Sequence, residues 1–250
     1  MTTTRALHRT AWLRQFHRAD APTRVVCFPH AGGAAGFFFP TSRALSDTAE
    51  VLTVQYPGRQ DRRAEPYAGS IAELTEGVAR ELAMLPDLPL VLFGHSMGAL
   101  VAYELAARLH RDGGPPVTNL VTSGCRAPSR WRPERLHLLD DDQVLAELSA
   151  LSGTHSRILG DAAMMRLALP PLRADFTAMA AYHRQAATRV PYPITALVGG
   201  SDPKVAVGDA AAWRNHTTGG FELHVLPGGH FYLESRMADV VRILRARLAA

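Results

Sequence analysis

The sequence predicts an α/β fold, with a mostly parallel central sheet flanked by helices and a helical insertion in its second half. Three observations carry this expectation. Short apolar runs alternate with stretches of helical periodicity along most of the chain. The 250 residues, 47% of them hydrophobic, are enough for one large domain with a sizeable core. Between Gly124 and Tyr192 the alternation stops and only helical patterns remain.

Taken in order, "RVVCF" (Arg24 to Phe28) is a strand candidate, followed by the turn-forming "PHAGGAAG". "EVLTVQY" (Glu50 to Tyr56) is a second, ended by Pro57-Gly58. Ile71, Leu74, Val78, Leu82 and Leu85 recur at helical spacing. "PLVLF" (Pro89 to Phe93) is a third strand, and Ala99 to Leu109 a helix stopped by Gly113-Gly114-Pro115-Pro116. "NLVTSG" (Asn119 to Gly124) is a fourth strand. The stretch 125–192 is expected to sit on the sheet as a helical subdomain within a single domain of residues 1–250. "ITALVGG" (Ile194 to Gly200) and "FELHVLP" (Phe221 to Pro227) complete the sheet, and Ser235 to Ala250 closes as a helix.

Composition narrows the function classes. Charged residues make up 20%, too few beside so much apolar content for extensive disorder. The net charge is +4, and Lys204 is the single lysine among 27 basic residues. Scattered arginines without an aromatic-basic stripe argue against nucleic acid. They reflect codon bias or an arginine-bearing surface for an acidic partner. Cys27 and Cys125 stand in no metal or redox spacing, and Cys27 falls in an apolar strand as a core thiol. The N-terminus lacks the pattern of a signal peptide, and no apolar run approaches a membrane span. The expectation is a cytoplasmic protein without membrane contact, monomeric because nothing demands more.

Gly94-His95-Ser96-Met97-Gly98 matches G-x-S-x-G between a buried strand and a helix. That sharp turn lifts the Ser96 hydroxyl above the sheet edge, and side chains at either glycine would collide with the neighbouring elements. A serine hydroxyl needs a base, and the base an orienting carboxylate. His230, in the glycine-rich turn after the last strand, is the candidate base. His8 and His17 precede the sheet, His110 and His183 lie in helical patterns, His224 alternates within a strand, and His95 adjoins the serine. Asp202, on the loop after Ile194 to Val198, is the candidate acid. Asp209 reads as a helix-start charge, and Asp140, Asp141 and Asp142 as a solvated cap. Candidate oxyanion donors are the backbone N–H groups of Met97 and Ala31. Gly32 and Gly33 allow close approach there, but the spacing of a dinucleotide- or phosphate-binding loop is absent. No metal-ligand cluster stands out.

"FPHAGG", "YPGR" (Tyr56 to Arg59), "GHSMG", Ser201-Asp202 and "GGHF" occur in this order. Together they resemble the type II thioesterases that accompany polyketide synthases and nonribosomal peptide synthetases. The free medium-chain thioesterase of animal fatty acid synthesis shares the signature. The resemblance runs from about Arg24 to the C-terminus, and "LPPLRADF" (Leu169 to Phe176) resembles that family's lid. It implies the α/β-hydrolase fold with 125–192 as a helical lid. It implies Ser96 as nucleophile, His230 as base, Asp202 as orienting acid, and Ala31 and Met97 as oxyanion donors. The implied reaction releases acyl groups from phosphopantetheine thioesters on acyl or peptidyl carrier proteins, clearing stalled or misprimed chains. No cofactor beyond the substrate's own phosphopantetheine is implied. Met164, Met165, Leu167, Leu169, Phe176 and Met179 would cover an acyl pocket. Arg59, Arg62 and Arg63 are either carrier-docking, solvated or structural. Two other readings share the scaffold: a carboxylesterase or lipase of small oxygen esters, and a non-catalytic ligand-binding homologue.

Overall fold

Each apolar run becomes a strand whose successive side chains enter opposite cores, the period of two that a pleated backbone imposes. A computed structural model describes residues 7–132, 134–152, 162–182 and 189–249, with the backbone alone at 152 and 162–166. The strands are β1 (Leu13–Arg14), β2 (Arg24–Phe28), β3 (Glu50–Val54), β4 (Leu90–His95), β5 (Val117–Ser123), β6 (Ile194–Gly199) and β7 (Phe221–Leu226). They form one sheet in the order β1-β3-β2-β4-β5-β6-β7. Only β1 runs antiparallel, against β3; every other pairing is parallel. Strands 2 to 4 in chain order are buried along their whole length, as a sheet covered on both faces requires.

The helices are α1 (Phe39–Leu45), α2 (Ile71–Leu82), α3 (Met97–Asp112), α4 (Asp141–Ser152), α5 (Ala162–Ala180), α6 (Val207–Ala211), α7 (Tyr232–Ser235) and α8 (Met237–Leu248). Val26 and Phe28 of β2 face the α2–α3 layer, with Leu74, Val78, Leu100 and Trp213. Val25 and Cys27 face the other layer, with Leu45, Leu233, Ile243 and Leu244. Cys27 is therefore a core thiol. Ser70 caps α2 by accepting the Glu73 N–H at 3.1 Å, while Glu73 reaches back to the Gly69 N–H at 2.8 Å. Gly113, at φ +73°, ends α3 in the left-handed conformation.

Three differences between sequence and structure stand out. β1 has no sequence signal, because two residues cannot display a period. α1 is seven residues with a proline in its first turn, too short for periodicity to register. The helix expected over 99–109 extends two residues earlier, to Met97, so it begins directly after the serine.

Between β5 and β6 the described residues contain two short 3-10 turns, Pro128–Arg130 and Leu136–Leu138, then α4 and α5. Leu136, Val144, Leu169, Leu172 and Phe176 form their own apolar cluster, separate from the two sheet cores and touching Ala31. Asp140 and Gln143 exchange side-chain-to-backbone bonds at 2.8 and 3.1 Å, a capping box that accounts for the acidic run. No described helix is long and apolar enough to cross a membrane.

Candidate active site

The parallel register brings the C-terminal ends of β2, β4 and β5 level, pairing Gly94 with Phe28 and with Thr122. Open α/β sheets bind ligands at this edge. Ser96 stands there at φ +53°, ψ −120°, a conformation that non-glycine residues adopt only where the surroundings enforce it. Its N–H is tied to Ser123 O at 2.8 Å. The turn's tightness fixes both glycines. A Cβ at Gly94 would lie 2.2 Å from Gly98 O, and one at Gly98 would lie 2.0 Å from Phe28 O. Both obstacles are backbone and cannot swing aside.

Met97 opens α3, so its N–H has no intrahelical acceptor. Ala31 sits in the turn after β2. Among the described residues neither amide donates to a backbone or side-chain acceptor.

Asp202 follows β6 and is fully buried at its carboxylate, while the His230 side chain is 6% exposed. One carboxylate oxygen, Oδ1, accepts the backbone N–H groups of Lys204 (2.8 Å) and Val205 (3.1 Å). The other, Oδ2, meets His230 Nδ1 at 2.8 Å. A carboxylate offers only acceptors, so the proton between them belongs to Nδ1 and the Nε2 lone pair is left available. Ser96 and His230 both open on one cavity; no hydrogen bond joins them in this structure, as is common before substrate draws such groups together.

That cavity holds about 590 Å³ of open space, part of it continuous with solvent. Its walls are mostly apolar: Trp131, Leu136, Leu151, Phe176, Met179 and Val205. Lys204 and Glu134 also line it, with Lys204 Nζ bound to Glu147 (2.8 Å) and Glu134 (3.3 Å). The Cys125 thiol lies in the same wall, but burial pushes it up to about 12, so it is no rival nucleophile. Of the residues expected to cover an acyl pocket, Phe176 and Met179 do line the cavity. Leu167 does not: it is 79% exposed. Leu169 packs inside the separate apolar cluster, and the side chains of Met164 and Met165 lie outside the described residues.

Two further imidazoles surround His230. Burial first, then the charges of His230 and Arg59, depress His30 to about 3. Burial, then His230 and His30, hold His95 well below its ordinary value. Both rings are neutral in the folded protein and titrate near 6.5 once unfolded. The unfolded chain thus binds more protons below about pH 6.5, and stability falls as pH drops below that value. Urea midpoints are expected to be flat above about pH 7 and clearly lower at about pH 5. Equal midpoints across that interval would contradict the burial of neutral rings.

The sequence leaves three roles open for Arg59, Arg62 and Arg63, and the structure separates them. Arg59 and Arg62 are buried, at 4% and 6% exposure, which removes both as docking residues. Arg62 pairs with Glu65 and lies over the Trp12 ring. Arg59 pairs with Asp175 of α5, whose carboxylate also accepts the Gly32 N–H at 2.7 Å. Arg63 alone stays exposed. The signal for the Arg59–Asp175 pair was present in "YPGR" and "LPPLRADF", but nothing in a single sequence couples positions 116 residues apart. Among the described residues, no group of three or more His, Cys, Asp or Glu side chains is placed to hold a metal.

Comparison with known proteins adds to this geometry. The family model for the thioesterase domain matches residues 23–248. A probable cadicidin biosynthesis thioesterase of Streptomyces griseus is 46% identical over 230 residues, covering 92% of this chain and 63% of that protein. Thioesterase PikA5 of Streptomyces venezuelae is 46% identical over 232 residues, covering 92% of this chain and 82% of that one. The solved structure of BorB, the type II thioesterase from the borrelidin biosynthetic cluster, superposes with a TM-score of 0.91 at 40% identity, over 97% of this chain and 100% of its own.

Proposed function

Because the chain belongs to the thioesterase domain family, we propose that it hydrolyses acyl groups held as phosphopantetheine thioesters on acyl or peptidyl carrier proteins. It acts there as a type II thioesterase, clearing stalled or misprimed chains from a polyketide or nonribosomal peptide assembly line. Ser96 and His230 opening on one mostly apolar cavity, with Asp202 bonded to His230 from behind, is the observation that carries this reading. The biosynthetic thioesterases among its relatives support the choice of substrate class.

In this mechanism the thioester carbonyl enters between Ser96 and the amides of Ala31 and Met97. Ser96 Oγ attacks as His230 Nε2 takes its proton, and the negative carbonyl oxygen is met by the two N–H groups. The intermediate collapses, and the pantetheine thiol departs with the proton that His230 returns. Water then enters, is deprotonated by the same nitrogen and attacks the acyl carbon; the bond to Ser96 Oγ breaks, and that oxygen takes the proton back from His230 as the carboxylic acid leaves. Asp202 holds the imidazole through Nδ1 throughout and favours its protonated form between the transfers. All three side chains come from one chain, so the reading needs no second subunit, no metal and no diffusible cofactor. The enzyme works in the cytoplasm, where its carrier-bound substrate is loaded.

The test compares specificity constants. Acyl-carrier thioesters are expected to exceed nitrophenyl esters of equal chain length at least about tenfold in kcat/KM, and removing the carrier should erase most of the difference. The reverse ranking would favour a hydrolase of small oxygen esters.

A further inference from the structure

The loop from Pro29 to Ala35, which carries the Ala31 N–H, has little secondary structure of its own to hold it. Three hydrogen bonds from outside the loop fix it instead. The Tyr56 hydroxyl donates to Pro29 O at 3.3 Å. Gln55 Oε1 accepts the Ala35 N–H at 2.9 Å, while its Nε2 donates to Arg59 O. Between those two points the loop is held from the opposite side, by α5. Asp175 Oδ2 accepts the Gly32 N–H at 2.7 Å, and Leu172 lies against Gly32, 3.0 Å from where a Cβ would stand. Positions 172 and 175 share one helix face, so a single element makes both contacts. Gly32 sits at φ +73°, which a glycine adopts without strain, and the neighbouring Ala31 N–H donates to no acceptor among the described residues.

A buried carboxylate is costly unless it is paired. Here the Arg59 guanidinium supplies the pairing, itself fixed by donating to Pro57 O at 2.6 Å. We propose that Asp175 is a positioning residue for the acyl-transfer step: its carboxylate, neutralised by Arg59, clamps the Gly32 amide and thereby aims the Ala31 N–H at the carbonyl oxygen. The proposal rests on the oxyanion role given to Ala31 above. Hydrogen bonding and charge are separable functions of this carboxylate. The bond to Gly32 sets kcat, whereas the pairing with Arg59 sets stability.

The test uses Asp175→Ala, Asp175→Asn and the double variant Arg59→Met/Asp175→Ala, which leaves no lone buried charge and so guards against a single variant that fails to fold. Rates are expressed per serine titrated to endpoint with a fluorophosphonate. Losing one well-aimed oxyanion donor typically costs about 10²–10³-fold in rate. Asp175→Ala and the double variant are therefore expected to lose about 100-fold in kcat, with KM changed less than about threefold. Inhibition by an acyl trifluoromethyl ketone, whose adduct carries the oxyanion, should weaken in parallel. Asp175→Asn keeps an acceptor for Gly32 and should restore kcat to within about fivefold of wild type while still lowering the thermal midpoint. Amide exchange in the peptide spanning residues 29–36 should accelerate in the alanine variants and not in Asp175→Asn, a readout that needs no substrate. The proposal is overturned if the alanine variants keep wild-type kcat per titrated serine, or if kcat follows the thermal midpoint instead of the acceptor. Running every assay on a thioester and a nitrophenyl ester separates the two levels. A wild type that cleaves only the ester defeats the substrate assignment, while the ratios among variants still judge the clamp.

Discussion

Ser96→Ala is expected to reduce turnover by at least about a thousandfold while moving the thermal midpoint by no more than a few degrees. The substitution removes one oxygen that opens on the cavity and keeps the Cβ, so the positive φ is no worse served than before. The Ser123 contact uses the backbone N–H and survives. What vanishes is the oxygen to which the proposed mechanism assigns the covalent acyl intermediate. Intact mass after treatment with a fluorophosphonate checks this directly: one adduct on the wild type and none on the variant. An alanine variant that still turns over thioesters at a tenth of the parental rate would dismiss the covalent route.

Asp202→Asn should have an effect of comparable size, about 10³–10⁴-fold in kcat, for a reason visible in the hydrogen bonds. Lys204 and Val205 present two N–H donors to one side of the carboxylate. An asparagine must turn its carbonyl oxygen to them, which aims its NH2 group at His230 Nδ1. A donor in that position forces Nδ1 to accept, so the ring proton moves to Nε2. The nitrogen that should take the proton from Ser96 then already carries one. The loss should shrink at high pH, where a fraction of Ser96 ionises without help, and fluorophosphonate labelling should slow in the same proportion. Wild-type labelling kinetics would show that the ring keeps its tautomer without the carboxylate.

The parts of the fold that repeat were readable before any coordinates. Six parallel strands announced themselves as apolar runs, and Arg24–Phe28 matches its expected bounds to the residue. The alignment of Ser96, Asp202 and His230 at one edge follows from parallel order, since each residue lies within four residues of the C-terminal end of a parallel strand. What stayed hidden is what depends on approach between distant segments. β1 exists because Leu13 and Arg14 find Val54 and Thr53, a pairing that two residues cannot advertise. Arg59 resembles a surface arginine in composition, and it is buried because Asp175 arrives from α5 to neutralise it. Leu167 fits a helical apolar face, yet it is left 79% exposed. In each case periodicity states which residues can be buried, and the tertiary partner decides which of them are.

Lys204 has a consequence for the chemistry that its surroundings must tolerate. It is the chain's one primary amine on a side chain, and it lines the compartment assigned to activated acyl groups. Such groups acylate unprotonated amines without assistance. Burial draws this nitrogen toward losing its proton, but Glu147 and Glu134 outweigh that pull and raise its proton affinity, so its lone pair stays occupied. All other basic side chains of the Lys/Arg set are guanidiniums, which resist such capture. On the proposed reaction, that protonation would leave Lys204 unreactive toward the acyl groups passing it.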